Sequence, residues 1–180
     1  DLVAGGNYSI CSGTTKFGLT AIRDDIGFYG GADIYGSLGN LRYFAELATN
    51  SKFAPAMLSG VIWNPSYNLE MSGTAKVCAP AYVNPNAISQ SKDIISCSYA
   101  IKYIDGGWKF NGNILYKYKP TKSSGTLKYR ISAQYSFKNG SSVYYHFRNS
   151  QHRFNTRLYI GKWVFGARFE GNGNGYGCFT

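Results

Sequence analysis

The sequence predicts an all-β fold, an antiparallel β-sandwich or small barrel with a C-terminal meander. Three observations carry that expectation. Tyr, Phe and Trp number 16, 11 and 3 among 180 residues, while charged residues make up only 16% of the chain. Such a composition suits pleated, half-buried surfaces and excludes a coiled coil or a disordered chain. The second half alternates apolar and polar residues with a period of two, the pattern of strands that cover one face. Turn residues, above all many of the 22 glycines, fall between those segments. No apolar run reaches the roughly 18 to 20 residues of a membrane-spanning helix. The length suffices for one disulfide-stabilised domain, 1–180, with a core of its own.

In chain order, the first half reads as short strands with turns around Gly27, Gly30, Gly31, Gly36 and Gly39. Asn40 to Lys52 is ambiguous. Leu41, Phe44, Leu47 and Ala48 share one face of a helix, whereas Leu41, Tyr43, Ala45 and Leu47 alternate as in a strand. One short helix in the first half is therefore an open alternative. Residues 78–92, with Pro80 and Pro85, read as a long loop.

The second half is more explicit. Cys97, Tyr99, Ile101 and Tyr103 alternate with polar or small residues up to Asp105-Gly106, which predicts a type I′ hairpin turn. Folding about it pairs Tyr103 with Trp108, Ile101 with Phe110 and Lys102 with Lys109. Leu127, Tyr129, Ile131, Ala133, Tyr135 and Phe137 form the next apolar row. A two-residue Asn139-Gly140 turn would throw the following strand out of phase. A three-residue loop, Lys138 to Gly140 with Gly140 left-handed, instead pairs Tyr135 with Val143, Ala133 with Tyr145 and Ile131 with Phe147. A last pair is expected from Asn155 to Ile160 and from Lys162 to Phe169, broken at Gly161. Gly171 to Gly177 reads as a turn-rich tail, with an anion-cradling loop as the functional alternative.

Four cysteines, Cys11, Cys78, Cys97 and Cys178, match no zinc or redox spacing. An even, scattered set in a chain that starts at Asp1 rather than Met suggests a mature, secreted form after signal removal, with two disulfides. Of three connectivities, Cys11–Cys178 and Cys78–Cys97 are the preferred expectation. Asn7-Tyr8-Ser9 and Asn139-Gly140-Ser141 are glycosylation sequons compatible with secretion.

The charge is local. The formal net charge is +10, and residues 91–180 hold fourteen of the basic residues against three acidic ones. The expected register gathers Lys102, Lys109, Lys117, Lys128, Arg130 and Arg148 on the polar face, with Arg130 opposite Arg148 and Ser132 opposite His146. Tyr144 and Gln134 share that face. Like charges opposite each other cost stability. One reading is a solvated face whose charges block edge-to-edge pairing; a neutral coat would normally mix signs, so an anion-binding face, with Tyr144 available for stacking, stands beside it. The expected ligand-binding residues are Lys102, Lys109, Lys117, Lys128, Arg130, Tyr144, His146 and Arg148.

Enzyme signatures are mostly absent: the chain has no G-x-S-x-G, P-loop, H-E-x-x-H or dinucleotide fingerprint. No cofactor, metal site or catalytic residue is expected. A glycosidase would need two facing carboxylates, and Asp24, Asp33, Glu46 and Glu70 are the candidates, with nothing to single out a pair. In layout (secreted, basic, two disulfides with one near both termini) the chain resembles fungal extracellular ribonucleases and ribotoxins. A metal-free nuclease could use His146, Arg148 and His152 with one of those carboxylates as general base and phosphate clamp; the resemblance covers layout only, and no catalytic motif or site residue of that family carries over.

These observations predict a secreted or cell-surface, non-enzymatic binding domain for an anionic glycan or a cell-surface receptor, adhesin-like or host-directed, with nucleic acid as a further ligand class. Two alternatives stand beside it. One is a small outer-membrane β-barrel, inserted in the membrane as a barrel, whose basic row lines the lumen while Trp108, Tyr116, Tyr118, Leu127, Tyr135 and Phe137 face lipid. The other is the secreted metal-free ribonuclease.

Overall fold

The computed structural model describes residues 4–25, 27–82, 93–172 and, for the backbone alone, 175–179. The chain is all-β. Among the described residues the strands are thirteen: β1 (Ala4–Ser12), β2 (Thr15–Arg23), β3 (Phe28–Leu38), β4 (Leu41–Asn50), β5 (Pro55–Ser66), β6 (Leu69–Cys78) and β7 (Ile94–Asp105), then β8 (Trp108–Lys119), β9 (Ser124–Ser136), β10 (Ser142–Arg148), β11 (Gln151–Ile160), β12 (Trp163–Asn172) and β13 (Gly175–Phe179). Each strand is hydrogen-bonded to its sequence neighbours, so the order across the sheet is the order along the chain. The meander read in the second half thus extends through the first. A 3-10 turn, Pro120–Lys122, joins β8 to β9.

The helical alternative for Asn40 to Lys52 is overturned: this stretch is β4 and the turn after it. The reason is visible at Asn50. Its side-chain Oδ1 accepts from the backbone N–H of Lys52 at 3.0 Å and of Ala54 at 3.1 Å, and its Nδ2 donates to the carbonyl of Ala81 at 2.9 Å. Asn50 is buried, and Phe53 beside it takes a left-handed φ of 53°. A buried amide with three partners holds a tight turn at the point where a helix would have run on.

The chain divides into two compact units. The first comprises Asp1–Trp63, Ser72–Ser98 and Tyr116–Thr126, the second Asn64–Met71, Tyr99–Leu115 and Leu127–Thr180. In the first, β1 to β5 keep one register. Tyr8, Leu19, Ala32, Leu47 and Met57 lie in one cross-strand row, and Ser9, Gly18, Asp33, Glu46 and Leu58 in an adjacent row on the other face. The strands run nine to twelve residues, longer than the sequence pattern suggested. Gly18 leaves open the space that the Asp33 carboxylate occupies across the strands.

In the second unit the three-residue hairpin loop is as expected. Tyr135 pairs with Val143, Ala133 with Tyr145 and Ile131 with Phe147. Gly140 has φ 84° and donates to the carbonyl of Phe137, whose own N–H donates to Ser141. Asn139 is occupied in this loop, accepting from the N–H of Ser141 and donating to the carbonyl of Tyr159. In the first unit Asn7 likewise donates its amide to Thr20 at 2.7 Å. Both sequon asparagines therefore have structural partners.

Three expectations are corrected. The β7–β8 turn is Gly106-Gly107, both left-handed at φ 51° and 91°, rather than Asp105-Gly106. That moves the pairing by two residues, so Lys102 comes opposite Asn111 instead of Lys109. Consistently, a Cβ on Gly112 would stand 3.0 Å from Cγ2 of Ile101, which faces it in this register. The strand after β10 begins at Gln151 rather than Asn155, behind an Asn149-Ser150 turn with both residues left-handed. The Gly-rich tail is not a loop throughout: Gly171 pairs with Tyr176 and Asn172 with Gly175 as β12 meets β13, while residues 173–174 lie outside the described residues. Of the expected 78–92 loop, residues 83–92 also lie outside them.

No disulfide joins Cys11, Cys78 or Cys97 to one another. Cys11 and Cys97 are exposed on β1 and β7, Cys78 is buried at the end of β6, and the side chain of Cys178 lies outside the described residues.

A conventional core is nearly missing. Among the described residues the buried apolar side chains are Ala54 and Cys78, and no large side chain is fully buried. The apolar rows are exposed instead. Leu19 on β2 is 59% exposed, Leu127 on β9 58% and Trp163 on β12 73%.

Candidate anion-binding face

Alternation along each strand separates two faces. In the second unit Ile131, Phe147 and His152 lie in register on one face, with Ala133, Tyr145, Phe154 and Phe169 in the next row. The opposite face carries Arg130 opposite Arg148, Ser132 in line with His146, Arg153 and Glu170, and Gln134 in line with Tyr144, Asn155 and Arg168. The like-charge pair and the Ser132–His146 pair are those read from the sequence.

Of these side chains, Arg130, Ser132, Tyr144, His146 and Arg148 help to bound a concavity of about 860 Å³ on the polar face of the second unit. Lys102, Lys128, Arg130, Tyr144, His146 and Arg148 line it, so six of the eight residues expected to bind ligand come together. Lys109 and Lys117 are not among its lining residues. Lys109 stands next to the β7–β8 turn, and Lys117 belongs to the first unit.

Sequence reasoning missed Asn111, Asn113 and Asn149, and named Glu70 only as a candidate carboxylate; all four also line the concavity. The asparagines on β8 had a signal, since Asn111 and Asn113 alternate with Phe110, Gly112 and Ile114. Arg153 was missed because β11 was started too late; it faces His146 directly.

The charge there is not locally neutralised. Glu170 forms an ion pair with Arg153 at 2.5 Å across the strands and another with Arg168 on its own strand. Among the described residues, neither Lys102, Lys128, Arg130 nor Arg148 has a carboxylate within ion-pair distance. Tyr144 and His146, two apart on β10, hold their rings 6.1 Å apart and inclined by 24°. At the edge, Asn149 accepts from the N–H of Tyr129 at 3.1 Å, which fixes the end of the Arg148–Arg130 row.

His152 is elsewhere. It sits on the apolar face, its Nδ1 2.9 Å from the Tyr145 hydroxyl and its ring 4.5 Å from that of Phe147. His146 and His152 therefore face opposite sides of one sheet, and they form no joint acid–base pair for phosphodiester cleavage. Of the carboxylates, Asp33 and Glu46 are direct cross-strand neighbours in the first unit, Asp24 accepts the N–H of Gly27 in a turn, and Glu70 lies in the second unit. Asp33 and Glu46 are side by side on one sheet face and both line a smaller concavity of about 270 Å³ in the first unit.

No family model, curated protein or solved structure matches this chain.

Proposed function

We propose that this chain is a membrane β-sheet protein of the outer-membrane-barrel kind, with its apolar face against lipid and its basic face lining an aqueous path that favours anions. One observation carries the reading: strand after strand, large apolar side chains of one face are exposed, from Tyr8 and Leu19 in the first unit to Leu127, Ile131 and Phe169 in the second. Water-exposed apolar area of this extent is an aggregation liability, whereas lipid is its natural solvent. Strand length agrees. Ten residues at roughly 3.3 Å each, tilted about 45°, span about 23 Å, close to the apolar band of roughly 25 Å in such barrels.

The tryptophans agree too. Trp108 follows the Gly106-Gly107 turn and Trp163 the Gly161-Lys162 turn, while Trp63 stands three residues before Ser66, the last residue of β5. Each falls close to an odd-to-even turn, where an aromatic girdle meets the membrane–water boundary. The anion-binding face expected of a secreted domain is kept in this reading, but as the wall of a water-filled path.

The test is fractionation followed by bilayer recording. The protein is expected to stay with membranes through an alkaline wash, to need detergent for extraction, and to pass chloride in preference to potassium under a salt gradient. A chain that purifies as a soluble monomer without detergent would overturn the proposal and return the secreted binding domain to first place.

A further inference from the structure

We infer that the concavity on the polar face of the second unit is a binding site for multiply charged phosphate anions. This concerns the polar face alone and stands whether or not the opposite face meets lipid. Four permanent cations, Lys102, Lys128, Arg130 and Arg148, share the site with a single carboxylate, Glu70. Arg130 and Arg148 are held directly opposite each other by the β9–β10 register. Such an arrangement is costly when empty and is relieved by an anion placed between the two guanidinium groups.

The chemistry narrows the anion. Each guanidinium presents a planar fork that matches two oxygens of one phosphoryl or carboxyl group, so two facing forks suit a ligand with two oxyanionic centres. Lys128 extends the positive surface along β9, and Lys102 extends it to β7. Chloride would meet one cation at a time. A diphosphate meets several together, and a volume of about 860 Å³ is of the size that takes a solute larger than an inorganic ion. Asn111 adds a neutral donor opposite Lys102. The near-parallel rings of Tyr144 and His146 offer a flat polar wall to whatever the phosphate is attached to.

Calorimetric titration of the full chain, in the micelles or buffer that keep it folded, tests this with inorganic pyrophosphate as the probe and inorganic phosphate as the comparison. Pyrophosphate is expected to bind more tightly than phosphate, and more weakly as salt is raised. Arg130→Gln with Arg148→Gln removes charge-assisted hydrogen bonds from both forks and is expected to weaken pyrophosphate binding by about tenfold or more. Lys119→Gln with Lys122→Gln removes the same charge outside the concavity and is expected to change binding by less than about twofold.

Circular dichroism of each variant checks folding, and single Lys128→Gln gives a second, milder loss should the double arginine variant not fold. Equal losses in the arginine and lysine pairs would mean that net charge alone attracts the anion, and would overturn the site. So would absence of pyrophosphate binding to the unaltered chain. Neither result touches the membrane proposal, which rests on extraction behaviour.

Discussion

Strands β1 to β5 and strands β9 to β12 follow one plan on their apolar faces and two plans on their polar ones. On the apolar side both carry continuous rows, Tyr8 to Met57 in the first unit and Ala133 to Phe169 in the second. On the polar side the first set balances Lys16 and Arg42 with Asp33 and Glu46, which share one face by register. The second set carries Lys128, Arg130, Arg148, Arg153, Arg157 and Arg168 against Glu170 alone. The solvent that an apolar face meets constrains every strand alike, whereas the polar face is free to differ where its contents differ. The asymmetry therefore gives the second unit an uncompensated basic face that the first unit lacks.

The largest effect should come from breaking what the two regions share. Arginine in place of Leu19 on β2 or Ile131 on β9 puts a charge on the apolar face near the middle of a strand. Against lipid, each is expected to destabilise by about 2 to 4 kcal/mol; against water, such exposed positions would change stability by about 0.5 kcal/mol or less. Urea unfolding in vesicles measures the difference. Similar large losses in both regions would support one membrane-facing surface, while a loss in only one would restrict lipid contact to that unit.

A second test sharpens what differs. In the proposed barrel, reversing Arg130 and Arg148 together to Glu should turn the preference from anions toward cations in bilayer recordings, because the field of such a path follows the charges on its wall. Reversing Asp33 and Glu46 to Lys should shift the preference further toward anions by a smaller step, since the first unit starts near balance. If both exchanges moved the selectivity equally, the division between a neutral and a basic region would have no functional meaning.

How far the sequence foretold this depends on the kind of signal. The β9–β10 register was legible because the Leu127 to Phe137 alternation and the Lys138-Asn139-Gly140 loop agreed on one pairing. With that register came the Arg130–Arg148 opposition and the shared face of Tyr144 and His146. The β7–β8 register was misread because Asp105-Gly106 and Gly106-Gly107 both suit a primed turn, and a two-residue slip keeps every side chain on its face. Local pattern is blind to such a slip. The nature of Asn40 to Lys52 was illegible for a different reason: the deciding contacts run from Asn50 to Lys52, Ala54 and Ala81, and the last is far along the chain. The exposure of the apolar rows was likewise invisible, since alternation says which residues share a face and not what covers it.

The smallest effect tests whether the opposed charges are held at a cost. Arg148→Gln removes the like-charge opposition with Arg130, and Glu46→Gln removes that with Asp33. Each is expected to stabilise the folded chain by a few tenths to about 1 kcal/mol, with the gain shrinking in high salt as the repulsion is screened. The two should part in function. Arg148→Gln should gain stability while losing pyrophosphate affinity, the signature of charges kept for a ligand, whereas Glu46→Gln should leave that affinity unchanged. Stability that fell on removing Arg148 would mean that Arg148 is held by favourable contacts rather than against repulsion, and the contrast between the two regions would lose its energetic basis.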